Sequence, residues 1–581
     1  MKNLMSNGYA QLLPFAVVCT MTLSFLLGAA SSGAAAPLFP AASPETLRLG
    51  EQVYREGVLP SGKPLLAAIK GGVSAPGTTF ACISCHLRSG LGSVDEGIYT
   101  PAINGEKLFK PLPRLYKGIE QNAKSSPPLR PAYTEESLIE VLRSGRDAGG
   151  RLLSEAMPRY LIEDRDARIL VAYLRSLSSQ SSPGADATLR FATVMSEDIK
   201  PAESEAMLAS FDHYFKMKKT QVRTFSNPRG LGAKSRLMAE NMLGSRDLAV
   251  REMSLSHWTL KGPPETWRSQ LEEYNRKEPV FALLGGIVSG PWKPVHQFSE
   301  ENGIPCLFPN TDFPVISDTD LYTLYLSKGY YQEGEAAARY LNSRTDILEG
   351  RRVVQIVRAS REAEALSAGF LQTWQELGQQ APLTVPLPSG NALDSDFLKQ
   401  VLAKEKPAAL VIWDDATALP ALDLLSRFEG RPTMVFLSTR YLGESIWTLQ
   451  ETIRDFTFLT YPYTFSPFAP RSTMGKQKVQ DDLQQTLQQV DVPLKNEVEK
   501  IASLTNSLTQ ILTIMLMDLK GNYYRDNLLD VAGMMPDQQY PLYGRISLGT
   551  GQRYASKGCF IVQLSHGDNP ELVKKSSWVI H

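Results

Sequence analysis

Val353-Val354-Gln355-Ile356-Val357, followed after a short polar turn by Arg361–Gly378, is the stretch that decides the architecture of most of this chain. The first run is short, apolar and rich in β-branched residues, as a strand buried on both faces of a parallel sheet must be. In the second, Leu366, Phe370, Trp374 and Leu377 fall at spacings of 0, 4, 8 and 11, one stripe of a helix. Leu366 and Trp374 therefore read as core residues rather than a cofactor box. The same strand texture recurs at Leu189–Met195, Gln221–Phe225, Val280–Leu284, Ala408–Ile412, Thr433–Leu437 and Phe456–Tyr461. Alternating strands and helices over nearly 400 residues predict α/β architecture with doubly wound parallel sheets. That length is large for one core and natural for two lobes. Ligands of such sheets bind beyond the carboxyl ends of the strands, so the expected site is the cleft between the lobes, closed by a hinge.

Toward the N-terminus the texture changes across Ser176–Ala187, a Ser/Gly/Pro stretch of the kind that marks a flexible boundary. The expected organisation is a leader over 1–36, a helical domain over 37–178, a linker over 179–188 and the α/β unit over 189–581. In the helical domain, Ser43-Pro44-Glu45 supplies a cap, a first-turn proline and an acidic first turn. That helix turns Leu47, Gly50, Val53 and Tyr54 to one face and stops at Gly57. Thr134 caps a second helix, with Leu138, Val141 and Leu142 inward, that ends at Gly145. The last helix, Asp164–Leu177, carries Ile169, Leu170, Tyr173, Leu174 and Leu177 at helical spacing. Gly50 allows the first and last helices to cross closely. The Gly/Pro-rich span Val58–Phe80 reads as a surface insertion.

Within this domain stands Cys82-Ile83-Ser84-Cys85-His86, the attachment sequence for c-type haem. Two thiols add to the haem vinyl groups and the adjacent imidazole becomes the proximal iron ligand. A thioredoxin-like motif has no need of the histidine, and a zinc site needs two further ligands that this region lacks. The one thioether between His86 and the end of the domain is Met157, in a loop before the last helix and stiffened by Pro158. Met157 is thus the candidate second axial ligand. The competing readings are a core-filling methionine and ligation by Lys107 or Lys110. The Gly50/Tyr54 helix, Cys82–His86, the Pro101-Ala102-Ile103-Asn104-Gly105 turn, Met157-Pro158 and Ala172-Tyr173-Leu174 together resemble a class I cytochrome c domain. That resemblance implies an all-α fold carrying one covalent haem c, with Cys82, Cys85, His86 and Met157 binding it.

Leu284-Gly285-Gly286-Ile287-Val288-Ser289, Asn302-Gly303-Ile304-Pro305, Pro309-Asn310-Thr311 and Gly329-Tyr330-Tyr331-Gln332-Glu333-Gly334 carry a second resemblance. The unit 189–581 resembles the type I periplasmic solute-binding proteins of the branched-chain amino-acid binding class. The resemblance implies that Ser289 and Thr311 hold a ligand carboxylate through hydroxyls and backbone N–H groups, with helix N-capping as the competing reading. Tyr330 stands where the family has an acidic residue. Trp413, Asp414 and Tyr461 follow expected strands and complete the cleft candidates. The segment Arg545–Arg553 lacks the Gly-Lys-Ser/Thr ending of a phosphate loop and reads as a glycine-rich turn. Cys306 and Cys559 are either a disulfide or two buried single thiols. His213, His257, His296, His566 and His581 are isolated, and no catalytic triad, His-Glu-x-x-His string or spaced carboxylate pair occurs.

Lys2, the apolar run Leu12–Leu27 and the small residues Gly28–Ala36 have the layout of a secretory signal peptide, a retained anchor being the alternative. Cys19 lies inside the apolar run, which argues against a lipoprotein signal. The mature chain is then expected in the periplasm. With 61 basic and 61 acidic residues the formal net charge is zero, which argues against a nucleic-acid partner. No segment beyond the leader approaches the roughly 18 apolar residues of a membrane span. The expectation is a non-enzymatic, exported electron-transfer protein with one haem, an unidentified redox partner and a module binding a small molecule or protein partner. The alternative is a solute-binding or ligand-sensing protein of a transport system with an accessory redox-sensing haem.

Overall fold

The computed structural model describes residues 42–69, 73–95, 98–113, 129–226, 251–348, 352–465, 497–543, 545–549 and 551–580. The expected leader, with Cys19, lies outside them.

Two parallel sheets form the α/β unit. In the first lobe the strand order is Thr323–Leu324, Cys306–Leu307, Ala282–Leu284, Thr188–Ser196, Glu252–Leu260, parallel throughout. Alternation along Thr188–Ser196 sends Phe191 and Met195 to a face covered by Met207, Phe211 and Tyr214. It sends Ala192 and Val194 to the opposite face, against Trp258, Trp267 and Trp292. The second lobe orders Leu383–Leu387, Val353–Arg358, Ala409–Trp413, Met434–Ser438 and Thr457–Tyr461 in parallel, then adds Gly558–Leu564 and Leu572–Lys574 antiparallel. Two helices on one face of this sheet, Tyr330–Asn342 and Arg361–Glu376, cross at paired glycines. A Cβ at Gly334 would strike the Leu366 carbonyl, and one at Gly369 the Tyr331 carbonyl. Leu366, Phe370 and Trp374 are buried there as the stripe predicts.

Six of the seven expected strands are present within a residue or two. The seventh, Gln221–Phe225, is instead the end of the long helix Pro201–Ser226. Its five residues carry no sheet partner, and the helix that packs Met207, Phe211 and Tyr214 on the core continues through them. Glu252–Leu260, half polar, takes the place beside Thr188–Ser196.

The lobes are joined where Tyr325–Gly329 runs beside Arg553–Lys557. Tyr325 N–H donates to Arg553 O at 2.7 Å, Ala555 N–H to Tyr325 O at 3.0 Å and Ser556 N–H to Leu326 O at 2.7 Å. These paired crossings are hinge segments, two adjacent strands of chain passing between rigid bodies.

The N-terminal region has its own core. Ser43 caps Pro44–Glu56 by accepting the Thr46 N–H at 3.1 Å, and Gly57 ends it at φ 65°. Thr134 and Ser137 cap Glu135–Ser144 reciprocally, and Gly145 ends that helix at φ 74°. Asp164–Ser176 crosses the first helix at Gly50, where a Cβ would lie 2.5 Å from that of Tyr173. The region is nevertheless not all-α. Leu66–Ala68 pairs with Ser74–Pro76 and with Arg159–Leu161 in a three-stranded antiparallel sheet. Leu65 and Ala67 are buried, so Val58–Phe80 supplies core rather than surplus surface. Its Gly and Pro content hid a short alternating strand.

The expected flexible linker is also corrected: it is packed. Ser182 N–H donates to Tyr523 O at 3.3 Å and its hydroxyl accepts the Arg525 N–H at 3.0 Å. Gly184, at φ 79°, touches the backbone of Phe281, leaving no room for a side chain. The helix Arg525–Met534 ties the two units together. Arg525 donates to the carbonyls of Val280 at 2.6 Å and Phe281 at 3.2 Å in the first lobe. Asp526 pairs with Arg55 at 3.0 Å and accepts the Tyr322 hydroxyl at 2.9 Å. Asp530 accepts the N–H groups of Arg88 at 3.2 Å and Ser89 at 2.8 Å.

Burial raises Asp530 to about 6 from 3.8, the nearby Asp526 charge adding to it and the two N–H donors opposing it. Between these values the folded chain binds more protons than the unfolded one, so this group's contribution to stability is full at the acid side and is lost as pH rises through about 6. Asp530→Asn is expected to flatten that part of the stability profile. Thermal unfolding from pH 4 to 7 checks it, an unchanged slope being the contrary result.

Candidate functional site

The carboxyl ends of both sheets face one buried cluster of charges. Asp312 follows the first-lobe strand Cys306–Leu307, and Arg440 follows the second-lobe strand Met434–Ser438. Glu333 lies in the first turn of Tyr330–Asn342, and Lys500 in Glu497–Asp518, a helix packed on the first lobe. Arg440 Nη1 donates to Asp312 Oδ1 at 2.8 Å, directly across the cleft. Lys500 Nζ stands 3.4 Å from Asp312 Oδ2 and 3.3 Å from Glu497. Glu333 is fully buried, and its Oε2 accepts the hydroxyls of Ser438 at 2.8 Å and Thr460 at 2.6 Å. The rings of Tyr330 and Tyr463 each lie 5.5 Å from the Arg440 guanidinium carbon.

Arg440 and Lys500 are themselves buried, so their charges are stabilised by partners rather than water. Burial pushes Asp312 up, but Lys500 and Arg440 outweigh it and hold the carboxyl below its ordinary range. For Glu333, burial wins over Arg440 and the two hydroxyls, and its carboxyl is raised. Glu333 Oε1 and Arg440 Nε are 3.4 Å apart, yet neither makes a hydrogen bond among the described residues. The cluster therefore offers a cation pair shared by one well-ionised carboxylate, two aromatic faces, and unsatisfied polar atoms.

Of the six expected cleft residues, only Tyr330 lies in this cluster. Thr311 is next to Asp312; its hydroxyl accepts the Phe313 N–H at 3.1 Å in a local turn. Ser289 donates to Asp198 Oδ2 at 2.5 Å on the exposed rim. Neither caps a helix, since Lys293–Asn302 begins after Trp292 and Tyr330–Asn342 after Gly329. Trp413 is a correction: it is completely buried under Phe370, its Nε1 donating to Gln355 at 2.9 Å. Asp414 is corrected as well, because Arg358 takes both its oxygens, Nη2 at 3.0 Å from Oδ2. Tyr461 packs in the core against Tyr463 and Phe465. The residues missed are Asp312, Glu333, Arg440 and Lys500. Three lay within reach: Asp312 adjoins Pro309–Thr311, Glu333 sits inside Gly329–Gly334, and Arg440 follows an expected strand as Trp413 does.

The second candidate is the turn Cys82–His86. The one-turn helix Ile83–His86 brings both cysteines and the histidine together, with His86 N–H donating to Cys82 O at 2.9 Å. Cys85 is exposed and Cys82 buried, its thiol pushed up to about 11 by burial. His86 Nδ1 is 2.9 Å from the Pro101 carbonyl, which can only accept, so the proton is assigned to Nδ1. Burial holds the imidazole neutral, at about 4, against the raising effect of that bond. Nε2 has no hydrogen-bond partner among the described residues, the state required of a metal-ligating imidazole. Met157 packs on the same apolar cluster that contains Cys82. Lys110 pairs with Glu106 at 3.4 Å. Cys306 and Cys559 are buried single thiols, not a disulfide. His296 is structural, bonded to Tyr325 and Asp320 at 3.0 Å each.

Residues 261–493 match the family described as periplasmic binding protein. The α/β unit has the two-lobed periplasmic-binding-protein fold. Solved structures similar to this chain include an ABC transporter substrate-binding protein from Sphaerobacter thermophilus (14% identity, 68% of this chain and 98% of that one, TM-score 0.44). A branched-chain amino acid ABC transporter from Thermus thermophilus with bound valine gives 13%, 68%, 97% and 0.43. A solute-binding protein of an ABC transporter from R. palustris in complex with benzoate gives 13%, 68%, 96% and 0.41. No curated protein matched. The family match lies wholly inside the α/β unit. No helix among the described residues is long and apolar enough to cross a membrane.

Removing the Arg440 charge leaves Glu333 buried without its cationic neighbour and Asp312 with Lys500 alone. Arg440→Met is expected to destabilise the chain by about 3–5 kcal/mol. Adding Asp312→Asn is expected to restore part of the loss, as urea unfolding of the single and double variants will show.

Proposed function

We propose that this chain is an exported solute-binding or ligand-sensing protein that takes a small molecule between its lobes and carries one haem c on its N-terminal region. The observation that carries the first half is the Asp312–Arg440 bond across the cleft at the strand ends, in a unit matched to binding proteins. Arg440, Lys500 and Tyr330 are the groups that would meet the ligand; Asp312 and Glu333 hold them in place. Ligand entry requires the Asp312–Arg440 bond to open, and the hinge at Tyr325–Gly329 allows the lobes to part. The bound valine and benzoate of similar structures both carry a carboxylate, which makes such molecules the first probes.

For the second half, Cys82 and Cys85 would attach the porphyrin by thioether bonds, and His86 and Met157 would ligate the iron. The group would supply one-electron redox chemistry at a raised potential. The chain's own part is to hold His86 neutral and oriented through Pro101 and to exclude water with the cluster around Cys82. Electron transfer to a redox partner is the second reading, favoured by this preset imidazole. Periplasmic location fits both.

The test uses the full chain expressed with haem-attachment machinery. Its thermal shift is measured against valine, other amino acids, aromatic acids and alcohols, and its visible spectrum is recorded. A ligand-induced rise in Tm that Arg440→Gln abolishes is expected, because ligand bound to the native state stabilises it by mass action. The expected pigment survives acidified acetone and is lost in Cys82→Ala/Cys85→Ala. A ligand response indifferent to Arg440 overturns the cleft assignment, and a colourless protein overturns the haem.

A further inference from the structure

A cavity of about 120 Å³ lies where the N-terminal region meets the first lobe, and none of the cleft residues lines it. One wall is the haem-attachment turn itself: Ile83, between the two cysteines, and Leu87, directly after His86. Leu321 and Leu324 of the first lobe, and Leu529 and Ala532 of the helix Arg525–Met534, complete an apolar lining. Gly549 and Gly551 border one side.

Three polar side chains also border it, and each is already engaged. Asp530 accepts the backbone N–H groups of Arg88 and Ser89. Arg88 reaches the Tyr322 hydroxyl at 3.4 Å and lies 3.5 Å from Asp526. Gln552 Oε1 accepts the Gly549 N–H at 3.1 Å and a proton of Lys557. Water needs two to four polar partners to settle in a cavity, whereas an apolar cavity of about 150 Å³ stays dry and takes up benzene. This space is of that order, and its bordering charges are committed to holding the two units together.

We propose that it is a binding site for a small, neutral, apolar molecule of about one aromatic ring, distinct from the charged inter-lobe cleft. The chemistry of the two sites is opposite: the cleft presents cations, and this chamber presents leucine and isoleucine methyls. Whatever occupies it touches the attachment turn and the first lobe at once. The site stands whether or not the cleft assignment holds.

Toluene is the probe. With the full chain carrying methyl-labelled Ile and Leu, toluene is expected to shift the methyl resonances of Ile83, Leu87 and Leu529 saturably. Leu321→Phe, a substitution at a partly exposed position, and Ala532→Leu fill the chamber from opposite sides. Each is expected to weaken binding at least tenfold while the remaining methyl spectrum stays folded. No saturable shift, shifts confined to other methyls, or binding unchanged in both filled variants would overturn the proposal.

Discussion

The structure turns on a desolvated guanidinium. Arg440 sits at the end of a second-lobe strand, out of reach of solvent, and its partner across the cleft is a first-lobe carboxylate. A buried charge of this kind is tolerable only with its counter-ion in place, and at an effective dielectric near 20 a pair at about 4 Å is worth roughly 4 kcal/mol. Lys500 adds a second buried cation to the same carboxylate, so Asp312 carries the electrostatic load of the cleft. The lobes therefore meet through a polar contact at the strand ends, beside an apolar cluster that runs through both of them.

The N-terminal region is fastened differently. Backbone amides of the Cys82–Ser89 segment, the side chain of Arg55 and the ordered segment around Ser182 all bind the helix Arg525–Met534 or its neighbours. That helix in turn is clamped to first-lobe carbonyls by Arg525. The Cys82–His86 turn and the first lobe are thus both bonded to that one helix or to its immediate neighbours.

Much of the fold was legible because it follows local rules. The Leu366–Trp374 stripe, the Ser43 and Thr134 caps, the Gly57 and Gly145 stops and the close approach at Gly50 each depend on a few neighbouring residues. Gln221–Phe225 misled because tertiary packing extends the helix before it, and Leu65–Ala67 was hidden by surrounding glycines and prolines. That Cys82, Cys85 and His86 share one turn was readable from spacing alone, since a single helical turn brings them together. The cleft was not. Its residues come from five segments between Asp312 and Lys500, and strand-end position selects Trp413 and Arg440 alike. Which way each side chain points, into the helix layer or across the cleft, is decided by the pleat and by partners such as Gln355. The linker misled for a related reason: serine and glycine signal flexibility only where nothing nearby accepts their hydrogen bonds.

The Asp312–Arg440 bond is the polar clasp between the two lobes, and breaking it is expected to let them part. Small-angle X-ray scattering of the full chain against Asp312→Asn tests it directly, because the substitution keeps size while removing the charge. A larger radius of gyration in the variant, with an unchanged circular dichroism spectrum, is the predicted result. Superimposable scattering curves would contradict it.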